Sequence, residues 1–431
     1  MKKYSIILVI CFLGFTPLIA QNSSQELQSL ILESFNYFPK IKELEQSELI
    51  SNERLKNTRG NLLPAISGVV SYNYIDPISQ TSFPAGPGIT KNLQFQPNNN
   101  LNANITANYA FLDFGRLKTA IDKSKEELNF SKQNTLYNMS QLASQVANIY
   151  YNIIYLKKAI VIQDSIIHYF EQNKDVIQSK LSNGDALKID VLNIQASIDN
   201  ELNRKVDLEN SLQKQLNLLE YTTGKRVVNQ SEFSFAIKNV SAEEYINLAE
   251  SQNVEYALIK SKIAQSEFDL KLNKKQLTPT LNATAAAGFR NGYQPDINEN
   301  RFNYLAGVSL NVPIFSGLKA RSQIGVATYN LRQTELGLVS LKNIYKKDIK
   351  QSLSEIDANQ TKLRNIESQI KAAQSVYQLT QIRYGNGVAT FLDLSFASTT
   401  LQRALLNKLQ YEFQLCSAKI ELARLTGDKY W

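Results

Sequence analysis

Three landmarks recur at one offset of 203 residues, and this spacing limits what the chain can fold into more than any other feature. The turn Asn183-Gly184 followed by Asp190 returns as Asn386-Gly387 followed by Asp393. LDFGR at 112–116 returns as FSGLK at 315–319, and Thr223-Gly224 returns as Thr426-Gly427. A constant offset gives the intervening segments equal length in both halves. The chain therefore reads as two copies of one plan.

Between LDFGR and the first Asn-Gly turn there is no proline, and apolar residues step by three and four: Met139, Leu142, Val146, Ile149, Ile153, Leu156 and Ile160, then Ile167, Phe170, Ile177 and Leu181. This heptad pattern implies coiled-coil packing. The second half repeats it in frame through Ile356, Leu363, Ile370, Ala373, Thr380 and Tyr384. Residues 115–182 as one helix make a rod of roughly 100 Å at 1.5 Å per residue. A second helix, about 187–222, runs back from a turn where Gly184 (Gly387 in the second copy) supplies the tight backbone. One further helical stretch opens each half, at 24–60 and 241–277.

Elsewhere the period is two. Leu101, Ala103, Ile105, Ala107, Tyr109 and Phe111 alternate with Asn102, Asn104, Thr106 and Asn108, and Ile66, Gly68, Val70, Tyr72 and Tyr74 alternate with Ser67, Ser71 and Asn73. The second half has Leu281, Ala283, Ala285, Ala287 and Phe289, then Phe302, Tyr304, Ala306, Val308, Leu310 and Val312. Strands of ~9–11 residues, apolar on one face and polar on the other, suit a transmembrane barrel. An ordinary half-buried sheet alternates in the same way, but the polar face is too small and hydrophilic to fill a core, and no apolar layer remains to cover the other face. The first strand pair is joined by a Pro/Gly/Asn-rich loop at 76–100, the second by the shorter RNGYQPDINENR.

The N-terminus, with Lys2, Lys3, an apolar run from Ile6 to Ile19 and Ala20, reads as a secretory signal peptide cleaved after Ala20. Ile10 precedes Cys11 where a lipidation signal needs a small residue, so lipidation is not expected. Cleavage leaves Cys416 as the sole thiol, a small buried hydrophobe unable to form an intrachain disulfide. The net charge of +8 is spread among interspersed acids and bases, so no nucleic-acid partner is expected. The one histidine, His168, lies on the long helix, and Cys/His metal spacing, G-x-S-x-G and a phosphate-binding glycine loop are all missing from the sequence. We expect no enzyme, no metal and no cofactor.

Four strands cannot close a barrel, and open edges are not tolerated in lipid. Three copies would give twelve strands, with the helical rods beneath them. On LDFGR, PIFSGLK at 313–319, RYGNG at 383–387 with FLDL at 391–394, and ARLTG at 423–427, the chain resembles the TolC-like outer membrane efflux proteins along nearly its whole mature length. The fold class expected is an α+β membrane protein. Its two-repeat protomer would form a trimeric 12-stranded transmembrane β-barrel continued by a long periplasmic α-helical coiled-coil barrel. The expected division is a signal peptide at 1–20, a first repeat at 21–224 (helix, strand pair 62–112, hairpin 115–222), a connecting segment at 225–240, and a second repeat at 241–431 (helix, strand pair 279–313, hairpin 316–427).

The resemblance implies a homotrimeric channel in outer-membrane lipid, with a large periplasmic portion. It would serve as exit duct of a tripartite efflux or type I secretion system, with a periplasmic adaptor (membrane fusion) protein and an inner-membrane RND or ABC transporter as partners. Asn183, Gly184, Asn386 and Gly387 would lie at the periplasmic tip, where the channel constricts and the adaptor docks. Asp393 stands where the family has an entrance carboxylate, Asp190 is its mate in the first half, and Tyr384 matches a tyrosine tied to the first hairpin near Asp190. A charge-assisted hydrogen bond between Asp190 and Tyr384 would hold the closed state. Phe396 and Asn193 replace a second acidic position and Ala389 an arginine, which implies a less acidic entrance with weaker salt links. The competing reading, from heptads alone, is a non-channel periplasmic coiled-coil structural or adaptor protein.

Overall fold

Pro39 and Asn253 each interrupt a helix that the sequence pattern leaves continuous. In the computed structural model, which describes residues 25–229 and 232–431, α1 (Gln25–Tyr37) and α2 (Pro39–Gly60) are separate helices. Proline at the first helical position loses nothing by lacking an N–H, but it turns the preceding residue away from the helical region. The signal peptide expected at 1–20 lies outside the described residues. α5 (Ala242–Gln252) ends at Asn253, whose backbone is extended, and α6 (Val254–Lys275) begins anew.

The long helices are α3 (Arg116–Ser182) and α7 (Lys319–Gly385), 67 residues each, and their return partners are α4 (Lys188–Thr223) and α8 (Phe391–Thr426), 36 residues each. The strands are β1 (Ala65–Tyr74), β2 (Gln80–Gly86), β3 (Ile89–Gln94), β4 (Asn99–Leu112), β5 (Thr280–Arg290) and β6 (Arg301–Asn311). β2 and β3 form a two-stranded hairpin inside the segment expected to be a loop. Pro84 and two glycines hide it from a period-two search, since they fall at its register shift and turn.

The chain divides into two compact units. One comprises the described residues through Ile41 with Asn138–Asn253 and Asn343–Trp431; the other comprises Lys42–Tyr137 and Val254–Lys342. The second unit carries a four-stranded antiparallel sheet in the order β1-β4-β5-β6. Its register fixes both faces. Val70 lies opposite Ala103, Ala103 opposite Phe289, and Phe289 opposite Phe302, so the apolar residues of all four strands share one side. The other side gathers Ser71, Asn102, Asn104, Asn282 and Asn303, with Val69 and Leu305 as exceptions. Apolar side chains stay exposed: Val70 at 83% and Tyr304 at 81%.

Both strand-to-helix junctions use two successive left-handed residues, Phe114-Gly115 in one copy and Gly317-Leu318 in the other. The glycine has changed places within one backbone geometry. In the first copy Asp113 accepts from the Gly115 and Leu117 amides and caps α3. Below the junction, Thr58 of α2 meets Ser124 of α3, and Lys123 of α3 pairs with Asp269 of α6 at 2.7 Å.

The core of the first unit lies along α3, where the heptad residues Val146, Ile149, Ile153, Phe170 and Ile177 are buried with Tyr150 and Tyr151. The matching stripe on α7 is buried at Ile356, Ala373 and Tyr384 and half-buried at Leu363, Ile370 and Thr380, while Val376, Leu379 and Ile382, off the stripe, are exposed. Residues 232–241 have no regular structure but are docked: Tyr151 donates to the Ser234 carbonyl at 2.5 Å and Tyr245 to that of Lys238. Cys416 is buried, as expected, and burial pushes its thiol up to about 12.

Candidate functional site

The two hairpin tips come together in the first unit. Each reverses through a glycine in the left-handed region, Gly184 at φ 84° and Gly387 at φ 75°. The chain closes the same way in both, with the Asp185 amide donating to Lys180 O at 2.8 Å and the Val388 amide to Arg383 O at 2.9 Å. These bonds satisfy carbonyls that the helix end leaves free. Asn183 and Asn386 are exposed beside their glycines.

Asp190 and Asp393 both occupy the third position of a helix. Asp393 accepts from the Thr390 amide at 2.9 Å and the Thr390 hydroxyl at 2.7 Å, while that hydroxyl accepts from the Asp393 amide at 3.2 Å. This is a complete capping box. Asp190 makes half of one, accepting from the Leu187 amide at 3.0 Å, because a leucine has no acceptor to offer in return. The Thr390 bonds, chiefly, and the Arg383 charge hold the Asp393 carboxyl below its usual range.

A folded-state pKa below the unfolded one means that the cap's contribution is complete above the ordinary carboxylate value, about 4. It is lost as pH falls through the lowered value. We therefore expect amide-exchange protection of Thr390 to survive to a pH below that of an ordinary aspartate and then to collapse. In Asp393→Asn the pH step should vanish; a step that persists would assign it to another group.

Tyr384 is buried against Phe170, Ile177, Ile194, Ile198 and Leu394, in a cluster that joins both hairpins. The expected hydrogen bond from Tyr384 to Asp190 is absent among the described residues. Asp190 instead caps α4, and its charge raises the Tyr384 phenol second to burial. The group that does cross is Lys180, whose ammonium donates to the Tyr384 carbonyl at 2.9 Å and lies 4.4 Å from the centre of that tyrosine's ring. It sits in the last turn of α3 and reaches the C-terminal end of α7, where a cation is favoured. Its position, with Arg383 as repeat mate, was the one sequence signal available.

Higher up, Tyr169 of α3 meets Tyr377 of α7 edge to face, with ring centres 5.0 Å apart. Higher still is a buried polar cluster. Gln163 donates to the Glu201 carboxylate at 2.7 Å, and Gln402 donates to the same carboxylate at 3.1 Å and to Gln163 at 3.2 Å. Arg204 completes it at 2.8 Å.

Solved structures that share this fold are outer-membrane channels. Vibrio cholerae VceC superposes with a TM-score of 0.78 over 93% of this chain and 96% of its own, at 14% identity. The open state of Neisseria gonorrhoeae MtrE gives 0.76 over 93% and 88%, at 15% identity. Residues 38–225 and 246–428 match the family profile for outer membrane efflux protein, and the chain belongs to that family. It is 22% identical to the outer membrane protein TolC of Salmonella enteritidis, over 94% of this chain and 82% of that protein. It is 21% identical to the alkaline protease secretion protein AprF of Pseudomonas aeruginosa, over 56% and 53%. The protein thus resides in the outer membrane and extends into the periplasm, in a family of channels rather than of enzymes.

Proposed function

We propose that three copies assemble into a passive exit duct, with a twelve-stranded barrel in the outer membrane continued by a helical barrel in the periplasm. The observation that carries this reading is the sheet β1-β4-β5-β6, which has one continuous apolar face and two unpaired edges, β1 and β6. Pairing β6 of one copy with β1 of the next satisfies both edges and turns the apolar face to lipid. Detergent extracts of outer membranes should hold a heat-labile species of three chains that conducts ions in planar bilayers. A monodisperse monomer without conductance would refute the assembly.

In this reading the tip formed by Asn183, Gly184, Asp190, Tyr384, Asn386, Gly387 and Asp393 is the periplasmic gate and adaptor contact. Exposed apolar residues on both hairpins, Leu187, Ile189 and Leu192 on the first and Val388, Leu392 and Phe396 on the second, offer a surface for a coiled-coil partner. An adaptor protein there, with an RND or ABC transporter in the inner membrane, makes the duct the outer part of a tripartite efflux or type I secretion system. The description of the family as efflux proteins supports the first use, and the name of AprF, an alkaline protease secretion protein, supports the second. Closure would follow from a change of superhelical twist in the hairpins.

A further inference from the structure

In the second unit, the four helices that lead into or out of the sheet carry bases at the ends nearest to it. α2 ends with Arg59 and α6 with Lys274 and Lys275, while α3 begins with Arg116 and Lys118 and α7 with Lys319 and Arg321. Across 57–63, 113–121, 272–278 and 314–322 the one acid is Asp113, and it caps α3. Lys275 has a structural task, donating to the Phe114 carbonyl at 2.8 Å. The other six bases are exposed and have no ion pair among the described residues. Away from the sheet, the same helices do offer acids to their bases: Lys56 meets Glu53 at 2.7 Å, Lys125 meets Asp122 at 2.9 Å and Arg332 meets Glu335 at 3.0 Å.

The unpaired bases are written twice. Arg116 and Lys118 return as Lys319 and Arg321 at the offset of 203, and Arg59 returns as Lys274 at the offset of 215 that aligns Pro64 with Pro279. At each position the charge is kept and the kind of base is exchanged. Guanidinium and ammonium differ in geometry, so a bidentate or stacked contact would not survive the exchange, whereas attraction to a charged layer would. Helix stability does not account for them. Bases in the first turn of α3 and α7 lie at the positive end of the helix dipole, where α4 and α8 place Asp190 and Asp393 instead.

Apolar side chains stand beside the same helix ends. Ile314 is 94% and Phe315 82% exposed, and Leu62, Leu63, Phe114, Leu277 and Leu318 are exposed as well. We infer that this collar binds the anionic phospholipid headgroups of the periplasmic leaflet of the outer membrane, with apolar side chains entering the acyl layer and bases reaching the phosphates. Lys and Arg suit that boundary, because their apolar stems lie along acyl chains while the charge stays in water. Positions two apart lie on opposite sides of a helix, so one of the two matched pairs, Arg116 with Lys319 or Lys118 with Arg321, makes the outward contact. The inference rests on the trimeric duct, which sets the sheet in lipid, and adds the kind of lipid that the duct prefers.

The full-length protein, purified from outer membranes, is reconstituted in vesicles of phosphatidylcholine with or without phosphatidylglycerol. Phosphatidylglycerol should slow thermal dissociation of the wild-type trimer about tenfold, read from unheated gels at one temperature, and high salt should cancel the gain. A variant combining Arg59→Gln, Arg116→Gln, Lys118→Gln, Lys274→Gln, Lys319→Gln and Arg321→Gln should dissociate as wild type does in phosphatidylcholine and gain nothing from phosphatidylglycerol. Exchanging Arg for Lys and Lys for Arg at all six positions should keep the full gain.

Where the six glutamines together prevent assembly, the pairs decide: either Arg116→Gln with Lys319→Gln or Lys118→Gln with Arg321→Gln should lose most of the gain. Full gain in both pairs, or in the six-glutamine variant, overturns the inference and leaves the duct standing. Inorganic phosphate added to phosphatidylcholine vesicles should leave the rate unchanged; protection equal to that of phosphatidylglycerol would assign the collar to free anions and overturn the lipid contact. A wild-type protein that forms no trimer in either vesicle overturns the duct and the inference together.

Discussion

Ile105→Lys is expected to eliminate the protein from the outer membrane. Ile105 sits mid-strand on β4, an inner strand, opposite Gly68 on β1 and Ala287 on β5, and is 64% exposed on the apolar face. A lysine near the midplane of a barrel's lipid face costs about 2–4 kcal/mol, and the proposed assembly of three would repeat that cost in every copy. The neighbouring residue is the control. Thr106 lies opposite Ser67 and Ala286 on the polar face, so Thr106→Lys places the same charge where water reaches it. Fractionation followed by unheated gel electrophoresis should show the oligomer for Thr106→Lys and none for Ile105→Lys. Equal yields of both variants would mean that the apolar face does not meet lipid.

Gly427→Ala is expected to unfold the first unit at markedly lower temperature than the wild type. Gly427 ends α8 at φ 75°, a backbone that costs a side-chain-bearing residue about 1–2 kcal/mol. A Cβ there would lie 2.7 Å from the carbonyl carbon and oxygen of Gln252 and 2.8 Å from the Asn253 nitrogen. That backbone has little room to retreat, because Asn253 donates from its side chain to the Arg424 and Leu425 carbonyls, each at 2.9 Å. Strain and clash together should reach about 3 kcal/mol or more. Gly224→Ala, the same position in the first copy, meets only the ring of Tyr37, which is half exposed and can swing aside. Its cost should stay near that of the backbone alone, about 1–2 kcal/mol. Melting followed by helical circular dichroism should rank the two variants in that order, and equal midpoints would mean that Gln252 and Asn253 move freely.

The contrast explains what was legible in the sequence and what was not. Alternation in 99–112 was enough to tell the two faces of β4 apart, because a strand has one period and its neighbours' polar residues fell in step. The break at Asn253 carries no such signature. It exists because that side chain caps a helix more than 170 residues away, and a local pattern holds no record of a distant acceptor. β2 and β3 were missed for the opposite reason: proline and glycine, which usually mark loops, fall at their irregular positions. At the tip, the Asn-Gly turns and the carboxylates were legible as motifs, since a left-handed glycine and a capping aspartate are local devices. That Asp190 spends its carboxylate on its own helix, while Lys180 makes the crossing to Tyr384, was not. Two basic residues at equivalent positions, Lys180 and Arg383, take different partners only once the helices are packed.

The asparagine-rich side of the sheet has a consequence for whatever travels along it. Among the strand residues β1, β4, β5 and β6 contribute to that side, only Arg290 and Arg301 carry charge, and these lie opposite each other at the end away from the helices. Amides both donate and accept hydrogen bonds and hold neither sign of ion strongly. In the proposed assembly such a lining wets the passage without retaining its contents. Molecules of unlike charge and shape would slip past at similar cost, and the choice of what leaves the cell would be made before they arrive.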